Sequence, residues 1–200
     1  MAVDFCGSVC VNRTNSQPAA AMEYKDVINF WFNEIDPSYW FRKSVDFDQL
    51  LQQRFGRTLE SASRCELAHW REAPDGRLAE IIVLDQFSRN IHRDTPGAFA
   101  QDALALALAQ EAVHCGADQQ LETRRRVFFY MPYMHSESPV IHAQAVRLYD
   151  QPGMADSLTY EKMHKDIIDR FGRYPHRNAI LGRASTAEEI EFLKQPGSGF

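Results

Sequence analysis

The chain has 200 residues, 44% of them hydrophobic and 24% charged, with a formal net charge of −5. That length suits one domain, able to bury about 70% of its unfolded surface without a metal or disulfide staple. The acidic balance argues against a nucleic-acid binder, which carries a basic excess, and no apolar run approaches the ~18 residues of a membrane span.

Residues 1–21 are rich in Ser, Asn, Ala and Val and show no helical period, so they are expected to be a disordered extension ahead of a single all-helical domain over 22–200. Asp4 stands where a signal peptide would be basic, and no long apolar stretch follows. Cys6, Cys10, Cys65 and Cys115 form no CxxC pair and have no His-rich partner segment, which reads as reduced thiols in a cytoplasmic protein.

From Met22 onward the punctuation is helical. Val27, Ile28, Trp31 and Phe32 share one face of a first helix closed by Asp36-Pro37. Phe47, Leu51, Phe55 and Leu59 recur every four residues and predict a second helix from Asp46 to Cys65. The turn Ala73-Pro74-Asp75-Gly76 leads into a helix over Leu78–Asn90. Thr95-Pro96 reads as an N-cap with proline at the first helical position, starting a long Ala/Leu helix that stops near Gly116. A helix over Glu122–Tyr130 is expected to end before Pro132. Ser138-Pro139 opens another through Tyr149, and Leu158–Phe171 is followed by Gly172. Ser185-x-x-Glu188 has the spacing of a capping box for a last short helix. No alternating segment competes, so the fold class is all-α, with antiparallel helix neighbours.

Polar residues crowd in a few places. In Leu84–Asn90, helical spacing brings Asp85 to Arg89 and Gln86 to Asn90; an intrahelical ion pair and a site are both compatible with this. In Tyr130–Glu137, His135 and Glu137 lie in a loop entering a helix, although capping and dipole complementarity also explain Glu137 and Ser138. The third cluster carries most weight. It comprises His164, then Arg170–Asn178 with Arg173, His176, Arg177 and Asn178, then Arg183. Arginines crowded between glycines and a proline suit forked hydrogen bonding to carboxylate or phosphate. The competing explanation pairs them with Asp85, Glu137, Asp166 or Asp169. Arg124-Arg125-Arg126 reads as a solvated face. Glu111-x-x-His114 and Glu161-x-x-His164 match a fragment of di-iron carboxylate sites, but the companion carboxylates are not evident, so no metal or cofactor is expected. There is no Walker loop, GxGxxG, GxSxG or HExxH.

Taken in order, these segments resemble a bacterial family catalogued as domain of unknown function 924. The words that carry the resemblance include Val27-Ile28-Asn29-Phe30-Trp31-Phe32, Leu84-Asp85-Gln86-Phe87-Ser88-Arg89-Asn90, Tyr130-Met131-Pro132 with His135-Ser136-Glu137, and Arg170-Phe171-Gly172-Arg173-Tyr174-Pro175-His176-Arg177-Asn178. Ser88 and Ala187 stand where the family commonly has proline. The resemblance implies a tetratricopeptide-like α-α superhelix of antiparallel helix pairs and brings no reaction with it.

The function expected from the residues is an Arg/His/Asp-rich pocket for a small anionic molecule, extended to acid/base catalysis because His titrates nearest neutral pH. Asp85, His135, Glu137, His164 and His176 are the catalytic candidates. Arg89, Asn90, Arg173, Arg177, Asn178 and Arg183 are the ligand-binding candidates. A helical-repeat module gripping a peptide or acidic partner is the alternative, and a purely structural polar network is a third. The expected partner is a small anion, with no nucleic acid or membrane and with a homodimer left open.

Overall fold

The computed structural model describes residues 22–199. The expected extension 1–21, with Cys6 and Cys10, lies outside these. The described residues form helices and no strand, and no helix among them is long and apolar enough to cross a membrane.

Helix α1 (Tyr24–Asn29) starts at a capping box between Glu23 and Asp26 and runs into a π-helical turn over Phe30–Glu34. Helix α2 (Val45–Ser63) begins at Ser44, whose hydroxyl accepts the Phe47 amide. Its four-residue apolar repeat is buried as expected, at Phe47, Leu51, Phe55 and Leu59. Helix α3 (Pro74–Ile82) passes through a second π turn, Val83–Phe87, into α4 (Ser88–Ile91). Gly76 lies so close to the preceding segment that a Cβ there would sit 1.9 Å from the Trp70 carbonyl oxygen. An aromatic cluster locks these helices together. Phe55 packs on Phe30 and Phe87 at 4.9 Å centroid separations, and Trp31 meets Phe87 at 5.4 Å. Such pairs add to the area they bury.

The expected long helix from Thr95 to Gly116 is instead split. A 3-10 turn, Pro96–Phe99, precedes α5 (Asp102–His114). The Ser88 hydroxyl donates to the Gly97 carbonyl at 3.3 Å and ties the turn to α4, and the break leaves Asp102 in the first turn of α5, facing Arg89.

Helix α6 (Thr123–Met134) also departs from expectation, because it carries Pro132 inside it. Proline removes one backbone donor, but every residue of Phe128–Met134 is buried, and that apolar burial outweighs one missing bond. The arginines ahead of it are not merely solvated. Arg125 pairs with Asp75 at 2.8 Å, Arg126 donates to Gln151 and to the Leu121 carbonyl, and Arg124 lies over Trp40.

Helices α7 (Pro139–Tyr149) and α8 (Ala155–Phe171) complete a run in which α5, α6, α7 and α8 each pack on the next. Gly172 ends α8 with φ +68°, a left-handed conformation that suits glycine. The last helix is α9 (Ala187–Phe192). Its capping box is formed one residue later than the sequence suggests, by Thr186 and Glu189, because the Ser185 hydroxyl accepts Asn178 Nδ2 at 3.0 Å.

Candidate functional site

The π turn of Val83–Phe87 places Asp85 on the inner side of its helix, where it is buried. Turns of this type insert an extra residue and re-aim the side chains around it. Asp85 Oδ1 lies 2.7 Å from His135 Nδ1 and 3.0 Å from Arg89 Nη1, while Oδ2 accepts Gln86 Nε2 at 2.6 Å. Burial by itself would raise this carboxyl. The Arg89 charge and the bond to His135 outweigh it and hold Asp85 well below the usual carboxylate range. An ionised carboxylate only accepts, so Nδ1 of His135 carries the proton and Nε2 keeps its lone pair. Burial, followed by repulsion from Arg89, lowers His135, leaving a neutral imidazole at pH 7.

Charge continues outward in alternating order. Arg89 reaches from Asp85 to Asp102 at 3.0 Å, and Arg177 Nη1 donates to Asp102 at 3.1 Å. Arg177 is clasped between Phe99 and Tyr174, each ring centroid 4.6 Å from the guanidinium carbon. Its Nη2 donates to the His135 carbonyl at 3.0 Å, and its Nε is buried with no hydrogen-bond partner. Burial and the neighbouring Arg89 lower the Arg177 guanidinium, against the attraction of Asp102 and Glu137. The outer edge stays open to solvent: the side chains of His135, Arg89 and Asp102 keep 17%, 19% and 22% of their exposure.

The other expected residues divide into those near this group and those drawn away. His164 and His176 flank the Tyr174 ring at 5.8 and 5.4 Å. Burial pushes them down to about 3 and about 4, and His176 Nδ1 has no hydrogen-bond partner. Glu137 accepts the Tyr174 amide at 2.8 Å and a forked pair from Arg183 at 2.6 and 2.9 Å. Asn178 bridges Arg183 and Ser185. Arg173 forks onto Glu189 at 2.7 and 2.8 Å, and Asn90 binds Asp48 beside Arg93 on the α2 side. Arg173, Arg183 and Asn90 are therefore held by the chain's own polar groups; Arg183 pairs with Glu137, one of the partners the structural alternative named, whereas Arg173 takes Glu189, which it did not name. A pocket was expected here; two cavities among the described residues lie elsewhere. One of about 140 Å³ is lined by Gln52, Glu60, Ser88 and His92, and one of about 250 Å³ by Met163, Arg170, Phe171 and Phe192.

Sequence reasoning passed over Asp102, Tyr174, His142 and Glu161. Asp102 resembles an ordinary first-turn acid. His142 did leave a signal, since it is a polar residue on the same helical stripe as the buried Ala145 and Tyr149. Glu161 appeared only as part of Glu161-x-x-His164, yet its partner is His142. Glu111 of the other such element pairs with Arg77. Among the described residues no group of three or more His, Cys, Asp or Glu side chains is placed to hold a metal.

Comparison with known proteins gives a family and a similar structure without adding a reaction. A family profile described as "Bacterial protein of unknown function (DUF924)" matches residues 27–197. The solved structure of a protein of unknown function, ATU0120 from Agrobacterium tumefaciens, is 40% identical, with a TM-score of 0.81 over 86% of this chain and 96% of that one. No curated protein matches the sequence.

Proposed function

Because the chain belongs to this bacterial family of unknown function, DUF924, we propose a function from the residues themselves: proton-transfer catalysis on a small anionic molecule, with His135 as general base. The observation that supports it is the 2.7 Å bond between His135 Nδ1 and a buried carboxylate that Arg89 and Gln86 hold in place. That arrangement orients an imidazole and leaves Nε2 free to take a proton. Arg177 supplies the attraction for an anion. Its Nε has no hydrogen-bond partner, and its Nη2 reaches the His135 carbonyl beside the base. Full engagement of Arg177 Nε requires a small outward movement of its neighbours, because that atom is covered in the present conformation.

The test is turnover of a panel of small phosphate and carboxylate esters by the protein and by H135Q. Loss of a positioned base lowers the rate by about 10²–10⁴-fold. Equal turnover by H135Q, or no turnover together with no perturbation of the His135 imidazole signals by any compound, removes the proposal.

A second reading, a peptide-binding module, draws on the groove lined by Met163, Ile167, Phe171 and Phe192, of which Met163 is an exposed apolar residue. Peptide binding there would be indifferent to H135Q.

A further inference from the structure

Two side chains that the proposed reaction does not use, His142 of α7 and Glu161 of α8, are completely buried and face each other, with Nδ1 2.7 Å from Oε1. On the other side of the ring, His142 Nε2 lies 2.8 Å from the Ser136 carbonyl and 3.2 Å from the Tyr174 hydroxyl. A carbonyl only accepts, so Nε2 carries a proton. The Tyr174 hydroxyl directs its own proton to the Met134 carbonyl at 2.5 Å, so towards His142 it also accepts. With Nε2–H fixed, the bond to Glu161 needs one further proton, either on Nδ1 of an imidazolium or on Oε1 of a carboxylic acid. The pair is net neutral in both forms.

The second carboxyl oxygen decides between them. Glu161 Oε2 is buried and has no hydrogen-bond partner among the described residues. An unpartnered anionic oxygen in the interior is far more costly than an unpartnered neutral carbonyl oxygen. Burial also raises the Glu161 carboxyl, in the same direction.

We propose that Glu161 is a carboxylic acid donating its proton to a neutral His142, and that this neutral pair is a positioning device for His135. It rests on His135 being the base, and it acts through the backbone. The successive carbonyls of Met134, His135 and Ser136 receive the Tyr174 hydroxyl, the Arg177 guanidinium and the His142 imidazole. Carbonyls at a helix end ordinarily lack intrahelical partners. Here the peptide planes on both sides of His135 are fixed by side chains, and with them the direction in which His135 leaves the chain toward Asp85.

The experiment reads the His135 Nδ1 proton by imidazole NMR on the full chain, and it needs no substrate. E161Q keeps a donor toward Nδ1, so it is expected to fold and to leave that proton's resonance and exchange rate unchanged. E161L removes the donor. It is expected to displace the resonance and to speed exchange about 10-fold, the equivalent of roughly one net hydrogen bond. If E161L does not fold, E161D, whose carboxyl falls one methylene short of Nδ1, is expected to give the same displacement. An E161Q chain that loses the signal or fails to fold overturns the neutral pair. A signal untouched by both E161L and E161D overturns the positioning. Either result stands apart from catalysis, because H135Q with full turnover would refute the base while leaving these NMR outcomes as they are.

Discussion

Replacing Asp85 tests the centre of the cluster most directly. The D85A change removes a buried carboxylate that partners Arg89, His135 and Gln86. Arg89 keeps only Asp102 as a counter-charge, His135 Nδ1 loses its acceptor, and Gln86 Nε2 is left with the Met131 sulfur. Breaking a buried ion pair on one side costs about 3–5 kcal/mol, a large share of the ~5–15 kcal/mol that holds a domain together. D85N preserves volume and an acceptor for His135 Nδ1–H but sacrifices the charge, so about 1–3 kcal/mol is expected. The sign of the pH effect follows from the depressed folded pKa. Stabilisation by Asp85 is fully present above the unfolded value near 3.9 and is lost as pH falls toward the folded one. D85N should therefore flatten the acid limb below about pH 4. Guanidinium unfolding followed by far-UV circular dichroism, at pH 7 and at intervals below 4, measures both effects. The R89A and D85A/R89A chains complete a cycle in which the double change costs less than the sum. Loss of under ~1 kcal/mol by D85A with an unchanged denaturant slope, or an acid limb that D85N leaves untouched, would refute this account of the cluster.

A second expectation concerns a higher pH window. His164 and His176 are pushed down by burial to about 3 and about 4, so below pH ~6.5 the unfolded chain takes up protons that the folded chain does not. Each should lower stability by about 1.4 kcal/mol per pH unit between ~6.5 and its folded value, and H176Q should remove one share of the slope; a flat profile from pH 6.5 to 5 contradicts it. Third, G76A drives a methyl group into the Trp70 carbonyl and is expected to cost about 1–3 kcal/mol, seen as a lower unfolding midpoint; an unchanged midpoint would mean that the Trp70 turn yields freely.

The all-α class was legible because helix faces repeat locally, and Phe47, Leu51, Phe55 and Leu59 announce a buried stripe from within one segment. Helix ends were less legible. Pro132 is a stop signal overridden by burial that only the packed neighbours supply, and the capping box moved to Thr186 because Asn178, seven residues before Ser185, had taken Ser185. The Asp85–Arg89 pairing lay within one turn and was readable. The sharing of Asp102 by Arg89 and Arg177 spans separations of 13 and 75 residues, and the His142–Glu161 bond joins two helices. Nothing in local spacing encodes either.

The capping of the end of α6 by distant side chains also has a consequence in time. The Met134 and His135 carbonyls wait for Tyr174 and Arg177, 40 and 42 residues further along the chain. Synthesis proceeds from the N-terminus, at about 5–20 residues per second, so Asp85 and His135 leave the ribosome well before the residues that hold His135 in place. Asp85 is available to the imidazole in that interval, while the carbonyls around His135 stay unclasped until the Arg170–Asn178 segment has emerged and folded back. Long-range closures of this kind are the slow ones. The base is thus completed last, and a nascent or truncated chain lacking Arg177 would have the Asp85 contact without the clasp on the His135 carbonyl.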